Sequence, residues 1–264
     1  MDARSCTRLF ACLIATLFAR AGSTAAQEFR IETEVYLGDE AEPASRTVTL
    51  FEESAVYEFT ENPAQTIIYR ESKKGRPGQF IILDVASQRR TEVESERVSK
   101  LMEKLAGWAA EQEDPILKFA GDPSFKETFD AESGDLTLSN PQWTYHVATV
   151  PAEDKAALQR YRTYTDRYAE LTSMLENSPP PRPRLALNAA LEKHGVAPVE
   201  IRRTIGGDEK GSVRAAHMFS WRLSRDDRAR LDEVRQQLAS FAKVDNKEFL
   251  ASRKKADVVR GQTK

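Results

Sequence analysis

Residues 46–93 read RTVTLFEESAVYEFTENPAQTIIYRESKKGRPGQFIILDVASQRRTEV, and the fold turns on how they alternate. Val48 and Leu50 fall on one face with Thr47, Thr49 and Phe51 on the other, Tyr57 and Phe59 share a face, and Ile67 and Tyr69 share another. A period of two is the mark of a strand. Asn62-Pro63 and Lys74-Gly75-Arg76-Pro77-Gly78 break the runs, because proline cannot donate to a ladder and glycine accepts turn angles. The stretch predicts a meandering antiparallel sheet. Phe80-Ile81-Ile82-Leu83 adds a constraint, since its apolar side chains point to both faces and both must be covered. The cover is either two packed layers or one packed layer and a dry cavity.

Before this stretch, Phe29, Ile31, Thr33, Val35 and Leu37 alternate with polar residues and give a first strand, with a loop from Gly38 to Ser45. After it, Val98, Leu101, Met102, Leu105, Trp108 and Ala109 recur at helical spacing behind the capping residues Thr91 to Ser95, and Trp108 is read as a core anchor. Further strands are expected over 115–120, 125–129, 136–138 and 143–150, with a hairpin turn at Glu132-Ser133-Gly134-Asp135. Trp143, Tyr145 and Val147 share one face, which turns His146 away from the apolar layer.

Pro151 opens the longest helix, carrying Leu158, Tyr161, Tyr164, Tyr168, Leu171 and Leu175 to about Glu176. Its tyrosine stripe reads either as an amphipathic face with phenolic tips in water or as a wall over an apolar ligand. Ser178-Pro179-Pro180-Pro181-Arg182-Pro183 predicts an extended stiff connector, followed by a short helix from Leu185 to His194 that Gly195 stops with a left-handed cap. Two strands, 199–205 and 213–223, are joined by a loop over 206–212, whose glycines match neither Walker spacing nor a strand-to-helix context. Ser224-Arg225-Asp226-Asp227 is a capping box into a helix with Leu231, Val234, Leu238 and Phe241, and a final short helix lies around Phe249 and Leu250.

Residues 1–26 have the pattern of a secretory signal: Arg4 and Arg8, an apolar run from Leu9 to Ala19 too short for a bilayer, then small residues ending Thr24-Ala25-Ala26. Cleavage is expected before Gln27, and Arg20 leaves a cut nearer Ser23 open. The stretch ahead of Cys12 is too short, and Phe10 too bulky, for a lipoprotein signal. Cys6 and Cys12 both lie in this segment, so the expected mature chain has no disulfide, thiol nucleophile or thiolate metal site. Setting aside Asp2, Arg4, Arg8 and Arg20 leaves 36 basic and 40 acidic residues, interspersed apart from Arg253-Lys254-Lys255, which argues against a nucleic-acid partner. No further apolar run reaches spanning length. The expectation is one α+β domain over 27–256 with a disordered tail at 257–264, exported to the periplasm or outside the cell.

No catalytic constellation emerges. His146, His194 and His217 lack metal-ligand spacing, no Gly-x-Ser-x-Gly elbow occurs, and the carboxylates fit equally well as exposed charge. The chain is read as no enzyme, with no cofactor and no metal.

The order of features in AVYEFTENPAQTIIY, then a glycine turn, then GQFIILDVASQRRTEV, resembles the lipoprotein-carrier (LolA/LolB-like) half-barrels of bacterial envelopes over about fifty residues. In both, a strand with an aromatic and a turn proline precedes a strand of isoleucines and a short strand ending in aspartate. The resemblance implies a curved antiparallel sheet whose helices close over an apolar cavity for acyl chains. No basic ligand residue is carried over. The reading is an exported carrier of a lipid or lipoprotein acyl chain. Its ligand wall is placed at Phe59, Ile67, Tyr69, Phe80 and Ile82 of the sheet and Tyr161, Tyr164 and Tyr168 of the long helix. The alternative is a non-catalytic structural or partner-binding envelope protein with a filled core.

Overall fold

Six strands follow one another as the alternation predicts: β1 (Phe29–Leu37), β2 (Ser45–Glu52), β3 (Ala55–Thr60), β4 (Gln65–Arg70), β5 (Gln79–Asp84) and β6 (Arg89–Glu94), each antiparallel to the next. The computed structural model describes residues 28–61 and 64–251. The signal at 1–26, the Asn62-Pro63 turn and the tail beyond 256 lie outside those residues. Helices α1 (Ser95–Ala110) and α2 (Pro115–Gly121) then lead to a second meander, β7 (Lys126–Asp130), β8 (Asp135–Asn140) and β9 (Trp143–Pro151). Helices α3 (Lys155–Glu176) and α4 (Arg182–His194) bring the chain back to β10 (Val196–Ile205) and β11 (Asp208–Ser220). Helix α5 (Arg225–Ser240), the two-residue β12 (Ala242–Lys243) and a short helix over 246–251 complete it.

Among the described residues, all twelve strands belong to one open sheet in the order β12-β6-β5-β4-β3-β2-β1-β11-β10-β9-β8-β7. The two meanders meet at a seam where β1 pairs antiparallel with β11, from Arg30 opposite Ser220 to Leu37 opposite Val213. Among these strands only β12 runs parallel to its neighbour, β6. One edge is β7, charged and largely exposed, and the other is the minimal β12; both discourage pairing with a further chain.

Helices α1 to α4 cover one face, here the inner face, and α5 covers part of the other. Phe80 and Ile82 pack inward with Val98 and Met102 of α1 and Leu158, Tyr161, Tyr164 and Leu171 of α3, while Ile81 and Leu83 pack outward with Leu231 and Val234 of α5. The two-sided quartet is thus buried on both sides. A second inner cluster joins Trp143, Tyr145, Val147 and Ile201 to Leu187 and Leu191 of α4. The chain end passes from α5 round the β6 edge, where the Thr91 hydroxyl donates to the Val244 carbonyl at 3.1 Å, and seats Phe249 in the inner core.

Several elements differ from the reading. Residues 115–120 are helical, because the Asp114 carboxylate accepts from the Ile116 and Leu117 amides at 2.9 and 2.8 Å and Pro115 occupies the first turn. Trp108 is 52% exposed and anchors nothing in the core. The cause lies on the opposite side of α1: a Cβ on Gly121 would meet the Ala110 nitrogen at 2.3 Å and the Ala106 oxygen at 2.6 Å, so α2 lies against α1 along its alanines and Trp108 faces out. The longest helix starts at Lys155, capped by Asp154, with Pro151 still in β9. Pro181 has φ −81° and ψ 10° and leads straight into α4, which shortens the extended connector. Gly206 and Gly207, at φ 62° and 72°, form a two-residue turn that brings Ile205 opposite Asp208, so the loop expected over 206–212 is mostly strand.

Candidate functional site

The sheet's inner face is not filled along its whole width. Between α3 and strands β1, β2, β3 and β11 lies a hollow of about 330 Å³, lined by Ile31, Thr49, Phe51, Glu58, Tyr161 and Tyr164 among others. A second hollow, of about 390 Å³, lies against β9, β10 and β11 beneath the proline corner, with Trp143, Tyr145, Ile201, Arg203 and Pro179 to Pro181 on its walls. Ala169, Thr172, Arg184 and Ala215 line both, so the two adjoin along one trough. Each has the size of a small-molecule pocket.

The roof is fixed from both sides. Ser99 of α1 donates to Glu170 of α3 at 2.5 Å, and Arg167 bonds both Ser99 and Glu170. On the other side, Asn188 of α4 donates to Asp166 of α3 at 2.7 Å and accepts from the Arg184 Nε at 3.0 Å. Burial raises the Asp166 carboxyl above the ordinary carboxylate value, against the Asn188 and Arg162 contacts that hold it down.

Alternation that places Val56 inward places Glu58 inward too. Its Oε2 accepts from the Tyr164 hydroxyl at 2.9 Å, and Tyr168 and Thr49 stand close to the same carboxyl. Burial pushes its pKa up to about 7, with those hydroxyls pulling it back only in part. The same pairing leaves the Tyr164 phenol well above its ordinary value, chiefly through burial. His217 sits on β11 with Nδ1 and the Thr33 hydroxyl 3.0 Å apart, and its Nε2 is covered without a partner. Burial, aided by the charge of Arg184, lowers its pKa to about 3, so the ring is neutral.

Glu58 and His217 line one hollow but stand on strands separated by β2 and β1. Three strand spacings amount to about 14 Å, too far for one to act as base to the other. Among the described residues no group of three His, Cys, Asp or Glu is placed to hold a metal ion.

Neither a family model nor a curated protein matches the chain.

Of the residues read from the sequence as a ligand wall, Tyr161, Tyr164 and Tyr168 line the first hollow. Two of them do not reach water as an ordinary amphipathic face would have them do: Tyr161 and Tyr164 are buried, the Tyr164 phenol is held by Glu58, and Tyr168 is half-buried. Ile67, Tyr69, Phe80 and Ile82 share the inner face but lie in packed core under α1 and α3, outside either hollow. Phe59 is on the opposite face, beside Arg230 of α5, because its parity is that of Tyr57. Glu58, Arg184 and Arg203 were not singled out, and His217 was weighed only for metal-ligand spacing. The signal for Glu58 was its position in AVYEFT, a charge inside a strand with apolar neighbours on either side; Arg184 carried no local signal, since the proline corner that aims it is a tertiary feature.

Proposed function

We propose that the protein is an exported, non-catalytic carrier that holds an apolar ligand, a lipid or a lipoprotein acyl chain, between its sheet and α3. The observation that carries this reading is the trough of two adjoining hollows under α3, on the helix-covered face of an open, mostly antiparallel sheet. An open sheet roofed by helices is also what the resemblance to lipoprotein carriers implies. The separation of Glu58 from His217 supports the non-catalytic part of the reading.

The test is native and denaturing mass spectrometry of detergent-free protein purified from an envelope compartment. A stoichiometric hydrophobic adduct released on denaturation is the expected result and names the ligand's class. A clean protein that also takes up no fluorescent fatty acid would overturn the reading.

A second reading, partner binding, draws on one observation. Leu101 and Trp108, seven residues apart on one face of α1, are 47% and 52% exposed. Loss of the Trp108 side chain that abolished co-purification of an envelope protein, with lipid uptake absent, would favour it.

A further inference from the structure

The second hollow combines an apolar wall with two guanidiniums that form no ion pair among the described residues. Its sides are Ile116, Ile201, Ile205, Val213 and the Pro179 to Pro181 corner. Two guanidiniums face this lining. Arg203 stacks over the Trp143 ring at 5.6 Å and, among the described residues, pairs with no carboxylate. Arg184 gives its Nε to the neutral amide of Asn188, which leaves the two terminal nitrogens of its fork without an ion pair among the described residues. The carboxylates near them are few. Glu176 stands exposed on the rim, and Asp166, near enough for its charge to act on Arg184, makes its ion pair with Arg162 at 3.5 Å and accepts from Asn188.

Two further features point the same way. Trp143 is 7% exposed, lines the hollow beside Tyr145, and its indole Nε1 has no partner within hydrogen-bond distance. Helix α4 begins at this wall with Pro181 as its cap, no side-chain cap bond and no acidic residue in its first turn, so its positive end is not offset. Both arginines are half-buried at the wall of the hollow, and a planar guanidinium fork is the group best matched to a carboxylate or phosphate.

We propose that Arg184 and Arg203 form a head-group site at the proline-corner end of the trough, and that the ligand is an anionic single-chain amphiphile bearing a carboxylate or phosphate head. The inference rests on the carrier reading and narrows it. The head lies between the two guanidiniums with the indole N–H as a further donor, and the tail runs under Ala169 and Thr172 into the first hollow, past Tyr161 and Tyr164. Glu58 suits that position, because a carboxyl that keeps its proton to about pH 7 sets no fixed charge against the head across most of the acid range.

The experiment is fluorescence titration of the purified protein with cis-parinaric acid and with its methyl ester at pH 6, below the Glu58 transition. The acid is expected to bind at least tenfold more tightly than the ester. Arg184→Gln and Arg203→Gln are each expected to weaken the acid about tenfold, the loss of one charge-assisted contact, while the ester changes less than twofold. Arg184→Lys should recover part of the loss. The ester affinity reports that each variant is folded. Displacement by palmitate identifies a carboxylate head and stronger displacement by dodecyl phosphate a phosphate head. Equal binding of acid and ester, or acid binding indifferent to both substitutions, would overturn the head-group site while leaving the carrier reading standing. Failure of both probes to bind would remove both.

Discussion

Glu58 is the residue whose titration the fold must accommodate. Its folded pKa of about 7 lies above the ordinary 4.5, so between those values the folded protein holds a proton that the unfolded chain has released. Its contribution is fully present below pH 4.5 and is lost as pH rises through 7, an effect of about 3 kcal/mol. His217 has the opposite sense: lowered from 6.5 to about 3, it contributes fully above pH 6.5 and loses that contribution as pH falls toward 3. Melting curves from pH 4 to 8 are therefore expected to show Glu58→Gln at least as stable as the wild type at pH 8, and less stable relative to it at pH 5. A wild-type advantage that grew toward alkaline pH would contradict the burial of a protonated carboxyl. Tyr164→Phe removes a donor from that carboxyl and should cost about 1–2 kcal/mol in urea unfolding. Tyr161→Phe removes a hydroxyl that, though near Arg184, has no partner within hydrogen-bond distance, and should cost less than about 0.5 kcal/mol. Sequence alternation was enough to put Glu58 opposite Tyr57, but not to show that hydroxyls from a helix 106 residues away would meet it.

At the level of elements, local chemistry was legible where a single residue decides the outcome. Gly195 caps α4 at φ 68°, and Ser224 and Asp227 exchange their capping bonds as their spacing implies. Where packing decides, it was not: Pro115 to Gly121 could be strand or helix until Asp114 is seen to cap it, and the outward turn of Trp108 depends on which side of α1 receives α2. The close approach at Gly121 makes a sharp prediction. Gly121→Ala forces the α2 backbone off that of α1 and is expected to lower stability by about 3 kcal/mol, whereas Gly107→Ala, on the open side of the same helix, should raise it by about 0.5–1 kcal/mol. Urea unfolding of the two variants measures both, and equal effects would deny the α1–α2 contact.

Across the molecule, the sheet is held at both ends of its long meander. The terminal strap that adds β12 to β6 carries Phe249 into the same core as Phe80 and Val98. Phe249→Ala should cost about 3 kcal/mol or more by leaving that socket empty, seen as a lower urea midpoint with an unchanged slope. The chain's overall plan, α+β with a double-faced meander, followed from residues 46–93; that the two meanders form one sheet did not, because register across distant segments leaves no mark in a single sequence.

The seam between β1 and β11 also sets an order of events in time. β1 emerges first from the ribosome, yet one of its two ladders waits for a partner 184 positions later, at the Thr33–His217 contact. Until then the first meander carries an open edge along β1, and the floor of the first hollow, which both strands supply, does not exist. Such distant pairing is intrinsically slow and leaves a sticky edge in waiting. A nascent chain of this kind has reason to be shielded until its last long strand arrives, and the trough under α3 is among the last features of the molecule to be completed.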